Sequence, residues 1–287
     1  MKVLVTGVRG QLGFDVVNEL EKRGHKSIGV DVEDMDITDR EQVSLVLQRV
    51  KPEAVIHCAA WTMVDAAEEN VEKVRLVNAV GTENIAKECG KLGCKMMYIS
   101  TDYVFDGKGI LPWQPDCKDY KPLNVYGKTK LEGEFAVVKN LEKYFIVRIA
   151  WVFGKNGNNF IKTMLKIGQM YDVLKVVNDQ IGTPTYTYDL ARLLVDMIET
   201  DKYGFYHATN EGGYISWYDF AKEIFKQAGY STEVVPVTTV EYGLSKASRP
   251  YNSRLDKSKL VENGFELLPT WQDALIRYLK EINNGTN

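Results

Sequence analysis

The chain has 287 residues, with 36 Lys plus Arg against 39 Asp plus Glu and a net charge of −3. This near-neutral, slightly acidic balance gives no electrostatic footing for general nucleic-acid or polybasic membrane binding. Hydrophobic residues at 45% and charged residues at 26% exclude disorder and describe a globular chain with core enough to fold without staples.

The four cysteines, Cys58, Cys89, Cys94 and Cys117, form no Cys-x-x-Cys pair, and there are only three histidines. A zinc cage or disulfide framework is therefore not expected; reduced thiols in a cytoplasmic protein are. No apolar run approaches the roughly 20 residues of a membrane span. The N-terminus enters a strand-like run at once, where a secretory signal would place a basic region and a long apolar core.

In chain order, residues 2–6 read as a buried strand that ends in a glycine turn. Residues 11–23 place Leu12, Val16, Val17 and Leu20 at helical spacing, and Gly24 ends that helix. A second strand is expected over 25–31, a helix over 41–50 that Pro52 breaks, and a third strand over 54–58. A long helix over 71–89, a strand over 95–100, a helix over 122–140 and a strand over 144–151 follow. This alternation predicts a parallel sheet covered on both faces, a doubly wound α/β fold. After residue 154 the regularity weakens into a polar loop, with helices expected over 160–169, 217–228 and 271–282. The expected division is a dinucleotide-binding part over 1–154, to which 175–208 returns, and a smaller mixed substrate part over 155–174 and 209–287.

Gly7, Gly10 and Gly13 follow the first strand and open the first helix, the context that a dinucleotide fingerprint requires. One glycine permits the turn, another lets backbone approach a pyrophosphate, and the last allows helix and strand to pack closely. Free N–H groups at the helix N-terminus complete the anion site. Asp31, at the end of the second strand, can accept hydrogen bonds from ribose hydroxyls and repel a 2′-phosphate, which favours NADH. Arg9 argues the other way, because a guanidinium can meet that phosphate, so NADPH stays open.

Tyr126 and Lys130 stand at i and i+4 and share one helical face. An ammonium beside a phenol is expected to lower its pKa, so that Tyr126 can exchange a proton with a carbonyl or alcohol. Thr101 follows the strand before it, where ligands of open parallel sheets lie, and its hydroxyl can bond the same reacting oxygen.

The glycine triplet, Asn78 in Val77-Asn78-Ala79-Val80-Gly81-Thr82, and the Tyr126/Lys130 pair resemble the extended short-chain dehydrogenases/reductases. Within them the chain is similar to the dTDP-4-dehydrorhamnose reductases, over nearly its whole length. Carrying that likeness are Gly10-Gln11-Leu12-Gly13, the run from Ala59 to Glu68, the run from Ser100 to Gly107, Tyr126 to Lys130, and Arg148 to Phe153. Asn159-Phe160, the run from Asp179 to Thr185, and Arg249-Pro250 through Leu255-Asp256 complete it. The resemblance implies reduction of dTDP-4-dehydro-L-rhamnose at sugar C4, with Tyr126 as proton donor, Thr101 steadying the oxygen and Lys130 tuning Tyr126 and gripping the ribose. It implies cofactor contacts from Gln11, Leu12, Asp36, Ile37, Ala59, Ala60, Trp61, Thr62 and Asn78. It places Val64, Asp102, Tyr103 and Trp151 around the sugar, and Arg249 and Arg254 near the nucleotide diphosphate.

Some members of that family dimerise through magnesium held by carboxylates. Asp15 and Asp189 fall near the relevant segments, but Thr187-Tyr188-Asp189-Leu190 lacks the paired acids such a site needs. No magnesium is expected, and the oligomeric state, a homodimer included, is left open. Two rivals remain. One is a nucleotide-sugar epimerase or dehydratase, although Tyr103 stands where the dehydratase pattern Thr-Asp-Glu has its base. The other is a non-catalytic regulatory subunit resembling that of methionine adenosyltransferase.

Overall fold

A computed structural model describes residues 1–284 of the chain. Six strands form one sheet: β1 (Lys2–Thr6), β2 (Lys26–Val30), β3 (Ala54–His57), β4 (Lys95–Thr101), β5 (Tyr144–Ile149) and, from much later in the chain, β7 (Gly204–His207). They pair in parallel throughout, in the order β7-β5-β4-β3-β1-β2. Parallel strands need crossovers, and helices supply them on both faces.

Successive side chains of a strand point to opposite faces. On one face Val3, Val5, Met97, Phe145 and Val147 meet Leu12, Val16 and Leu20 of α1 (Gln11–Lys22). Leu190 and Leu194 of a later helix, Thr187–Ile198, join them there. On the other face Leu4, Val55, Met96 and Ile146 meet Val43 and Leu47 of α2 (Arg40–Val50), Ile85 of α3 (Thr82–Leu92) and Val137 of α4 (Val125–Asn140). The sheet is doubly wound, as the strand–helix alternation predicts.

A second, smaller core gathers α5 (Phe160–Gly168), β6 (Val173–Val177), α7 (Trp217–Ala228), β8 (Glu233–Val237) and α8 (Trp271–Asn284) around Phe153, Ile161, Phe220, Phe225, Leu275 and Tyr278. β6 pairs with β8, Val173 opposite Glu233 through Val177 opposite Val237. Residues 175–177, expected to return to the large sheet, therefore lie with the smaller core. The elements that do return are α6 (Thr187–Ile198) and β7.

Three boundaries differ from expectation for physical reasons. The single helix expected over 71–89 runs to Leu92 and is interrupted by a π-helical turn at Leu76–Gly81; such turns insert one residue and re-aim a side chain. α4 starts at Val125, because the Asn124 side chain accepts the Gly127 N–H at 2.8 Å and caps it. β5 stops at Ile149, since Trp151 turns into the left-handed region at φ 51°. Among the described residues the four cysteines are free thiols, no helix is long and apolar enough to cross a membrane, and no three His, Cys, Asp or Glu cluster as metal ligands would.

Candidate active site

A cavity of about 770 Å³ opens at the C-terminal ends of β1 to β5, within the size range of small-molecule sites. It sits where the strand order reverses around β1, the place where open α/β sheets bind ligands. Gly7, Gly10, Gln11, Leu12 and Gly13 line one end. Gly7 has φ 70°, and a Cβ there would lie 2.8 Å from the Ala59 nitrogen. A Cβ on Gly13 would run into the Gly7 carbonyl. Gly10 caps α1 without a side chain, so the first-turn N–H groups of a 12-residue helix have no side-chain acceptor at the cavity edge.

Asp31, Asp36 and Ile37 line the same end. The Asp31 carboxylate accepts the backbone N–H of Arg9 at 3.1 Å and of Val32 at 2.9 Å, which leaves each oxygen a further lone pair. The Arg9 guanidinium turns away, onto Glu33 at 2.6 Å. The Asp36 carboxylate is occupied by Thr38, whose N–H and hydroxyl it accepts at 2.9 and 2.7 Å.

Ala59, Ala60 and Thr62 border the cavity, whereas Trp61 and Asn78 do not. The π-helical turn points Asn78 inward, only 1% exposed. Its Oδ1 accepts the Trp61 N–H at 2.8 Å, and its Nδ2 donates to the Trp61 carbonyl at 3.2 Å and to the Thr129 hydroxyl at 3.1 Å. Asn78 thus holds the backbone of the loop that walls the cavity. The Trp61 indole donates to the Met63 carbonyl at 3.2 Å.

Thr101, Tyr126 and Lys130 converge at the other end. The Thr101 hydroxyl lies against the Tyr126 phenol and partly stabilises its anion, but burial outweighs it and pushes the phenol pKa upward. Lys130 is buried, donates from Nζ to the Ile99 carbonyl at 2.7 Å and sits 4.1 Å from the centre of the Tyr98 ring. Burial brings its ammonium down to about 7, against the opposing pull of Glu134 and Cys58. The Tyr126 shift is therefore opposite to the lowering expected from Lys130: desolvation dominates the phenol.

Val64, Asp102, Tyr103 and Trp151 complete the wall. Asp102 accepts the Thr101 hydroxyl at 3.1 Å on Oδ1, while Oδ2 is buried with no partner. Burial raises this carboxyl to about 6, with Ser253 and Thr101 opposing. Tyr103 packs edge-on to Tyr126 at 5.5 Å, and burial pushes its phenol up to about 12. Neither Arg249 nor Arg254 borders the cavity. Arg249 donates to Asp65 at 2.6 Å and to the Tyr103 hydroxyl at 3.1 Å. Arg254 donates to Asn252 at 3.0 Å and lies 5.8 Å from the centre of the Tyr214 ring.

The sequence pattern of the family described as RmlD substrate binding domain matches residues 1–284. The chain belongs to that family. It is 39% identical over 284 residues to the spore coat polysaccharide biosynthesis protein SpsK of Bacillus subtilis, covering 99% of each chain. It is 39% identical over 288 residues to the dTDP-4-dehydrorhamnose reductase of Aggregatibacter actinomycetemcomitans, covering 96% of this chain and 97% of that one. The crystal structure of a dTDP-4-dehydrorhamnose reductase from Bacillus anthracis in complex with NADP superposes with a TM-score of 0.94 at 41% identity, covering 98% and 99%.

In this member of the RmlD substrate binding domain family, the cavity has residues that sequence reasoning passed over. Gly157 and Asn158 line it. Their loop is fixed by Asn159, whose Nδ2 lies within hydrogen-bond distance of the Gln11 side-chain oxygen, the Gly154 carbonyl and the Tyr278 hydroxyl at 3.0, 3.0 and 2.9 Å. The only signal in the sequence was a polar run, which reads equally well as a linker. Cys58 also lines the cavity; burial pushes its thiol up to about 12 against the Lys130 charge.

Proposed function

We propose that this chain reduces the 4-keto group of dTDP-4-dehydro-L-rhamnose to dTDP-L-rhamnose, with a nicotinamide dinucleotide as hydride donor. The observation that carries this reading is the convergence of Thr101, Tyr126 and Lys130 in the cavity that also contains the glycine cradle. Family membership and two relatives that are dTDP-4-dehydrorhamnose reductases support it. The residues present fit the cofactor. The Gly7 and Gly13 backbone leaves no room for a Cβ, and the uncapped start of α1 offers N–H groups to a pyrophosphate. When bound, the reduced nicotinamide supplies the hydride to sugar C4.

The chain's own residues do the rest. Burial keeps the proton on the Tyr126 phenol at neutral pH, so it is available to the oxygen at C4 as negative charge develops there. The Thr101 hydroxyl, whose one proton goes to Asp102 in the free chain, rotates toward that oxygen to give it a second hydrogen bond. As an ammonium, Lys130 has two N–H donors beyond the one given to Ile99, and these hold ribose hydroxyls. The unpartnered Oδ2 of Asp102 accepts from a sugar hydroxyl, while Val64, Tyr103 and Trp151 enclose the ring. The large sheet thus carries the cofactor, and the segments that follow β3, β4 and β5 enclose the sugar.

NADH is the favoured cofactor. Asp31 accepts from the ribose hydroxyls, and the one nearby guanidinium, that of Arg9, is held by Glu33. NADPH remains the competitor, since the Bacillus anthracis relative was crystallised with NADP. The dehydratase reading loses its base, because Tyr103 follows Asp102. A cytoplasmic setting and a surface polysaccharide as destination belong to the same proposal. The test is to incubate the purified chain with dTDP-4-dehydro-L-rhamnose and NADH and identify the product by NMR. dTDP-L-rhamnose formed as NADH is consumed is the expected result; no consumption of NADH or NADPH would refute the reading.

A further inference from the structure

Trp151 holds a φ of 51°, which bulky residues rarely adopt. Such strain persists only where the surroundings over-determine it. Two neighbours do so. The Trp217 indole stacks on that of Trp151 with centroids 3.7 Å apart and planes within 16°. Phe160 packs on Trp217 at 4.6 Å, and Phe220 on Phe160 at 5.8 Å. Gly182 approaches the same Trp151 indole so closely that a Cβ would lie 2.9 Å from Cε2 and 3.1 Å from Nε1.

One local device places both neighbours. Ile215 pairs with Gly182, and Ser216 with Ile181, in a short antiparallel ladder. Ser216 then caps α7 through a reciprocal box with Asp219, which makes Trp217 the first residue of that helix. Trp151 borders the cavity and Trp217 does not.

We propose that Trp217 and Gly182 are positioning residues that fix the Trp151 indole as a rigid wall for the sugar ring and thereby set the preference for a hexose with an apolar face. This rests on the reading that a nucleotide sugar occupies the cavity. An indole already held in place gives up little freedom when the sugar binds, and a deoxysugar offers it an apolar edge to pack against. An indole released from its stack forfeits that advantage.

Three variants test it: Trp217→Leu removes the stack, Trp217→Phe keeps an aromatic face, and Gly182→Ala pushes on the indole from a different residue. Stacked indoles couple in circular dichroism, so the wild type should show an exciton couplet that Trp217→Leu abolishes and Gly182→Ala alters. Calorimetric titration then compares dTDP-L-rhamnose with dTDP, which lacks the sugar. Trp217→Leu and Gly182→Ala should each weaken dTDP-L-rhamnose about five- to ten-fold, the scale of one good aromatic contact. Binding of dTDP and NADH should stay within about two-fold, and Trp217→Phe should restore most of the loss. Equal weakening of both nucleotides, or an abolished couplet with unchanged affinities, overturns the proposal. A wild type that binds dTDP-L-rhamnose but does not form it from the ketone refutes the reaction and leaves this comparison to decide the positioning role. A wild type that binds dTDP-L-rhamnose no better than dTDP overturns the inference whatever its activity.

Discussion

Replacing Asn78 by Ala should weaken the cofactor without touching it. The side chain makes three hydrogen bonds, two to the Trp61 backbone and one to Thr129, and is 1% exposed. Each buried group stripped of its partner costs about 1–3 kcal/mol, so roughly 3–9 kcal/mol is at stake if the loop stays in place. The loop can instead swing toward water and recover part of that. The expected division is a stability loss of about 2–3 kcal/mol and a 10- to 100-fold weaker affinity for NADH, because Ala59, Ala60 and Thr62 move with Trp61. Urea unfolding reads the first and fluorescence titration with NADH the second, while kcat at saturating cofactor should change little. If NADH affinity stayed within about two-fold while stability fell, the clamp would be purely structural and the reasoning wrong.

Tyr126→Phe should retain cofactor affinity and lose about 10²- to 10⁴-fold in kcat, since only the proton donor is removed; turnover within about ten-fold of wild type would reject the assigned role. Asp31→Ser should shift the NADPH/NADH ratio of kcat/KM toward NADPH by about ten-fold or more, as a carboxylate that repels a 2′-phosphate disappears. An unchanged ratio would show that Asp31 does not set the preference. Asp15 is buried, and desolvation raises its carboxyl to about 6, with Thr187 opposing and Glu281 adding. A folded-state pKa above the unfolded value means a contribution fully present below about pH 4 and lost as pH rises through about 6. Asp15→Asn should therefore stabilise the fold by up to about 3 kcal/mol near pH 8 and hardly at all near pH 4, in urea melts. A gain independent of pH would contradict this.

The sequence makes plain whatever depends on neighbours close in the chain. The apolar run before Gly7, the periodicity of Leu12, Val16 and Leu20, and the i, i+4 spacing of Tyr126 and Lys130 each have a local cause, and these elements stand where expected. What stayed hidden depends on partners remote in sequence. Asn78 works on Trp61 through a π-helical turn that no periodicity signals. Arg249 is taken by Asp65, 184 positions away, so its expected place beside a diphosphate could not be tested by spacing. The pair Ile181–Gly182 with Ile215–Ser216 is two residues long on each side, too short for an alternation to show. The direction of the Tyr126 shift turned on burial, which outweighed the charge that spacing alone brings to mind.

The route of the chain through its sheet bears on how it is made. β5 has β4 on one side, and its other side is completed only by β7, some sixty residues later, with β6 in between belonging to the smaller core. While the ribosome is still delivering the intervening segment, the backbone of β5 presents an unpaired edge of the apolar run Tyr144–Ile149. A nascent chain stalled before Gly204 should therefore leave the β5 edge open to holding chaperones, and one extended past His207 should protect the amides of β5 from hydrogen exchange. Cutting the gene between the two cores would strand that edge permanently, so the halves are poor candidates for separate expression.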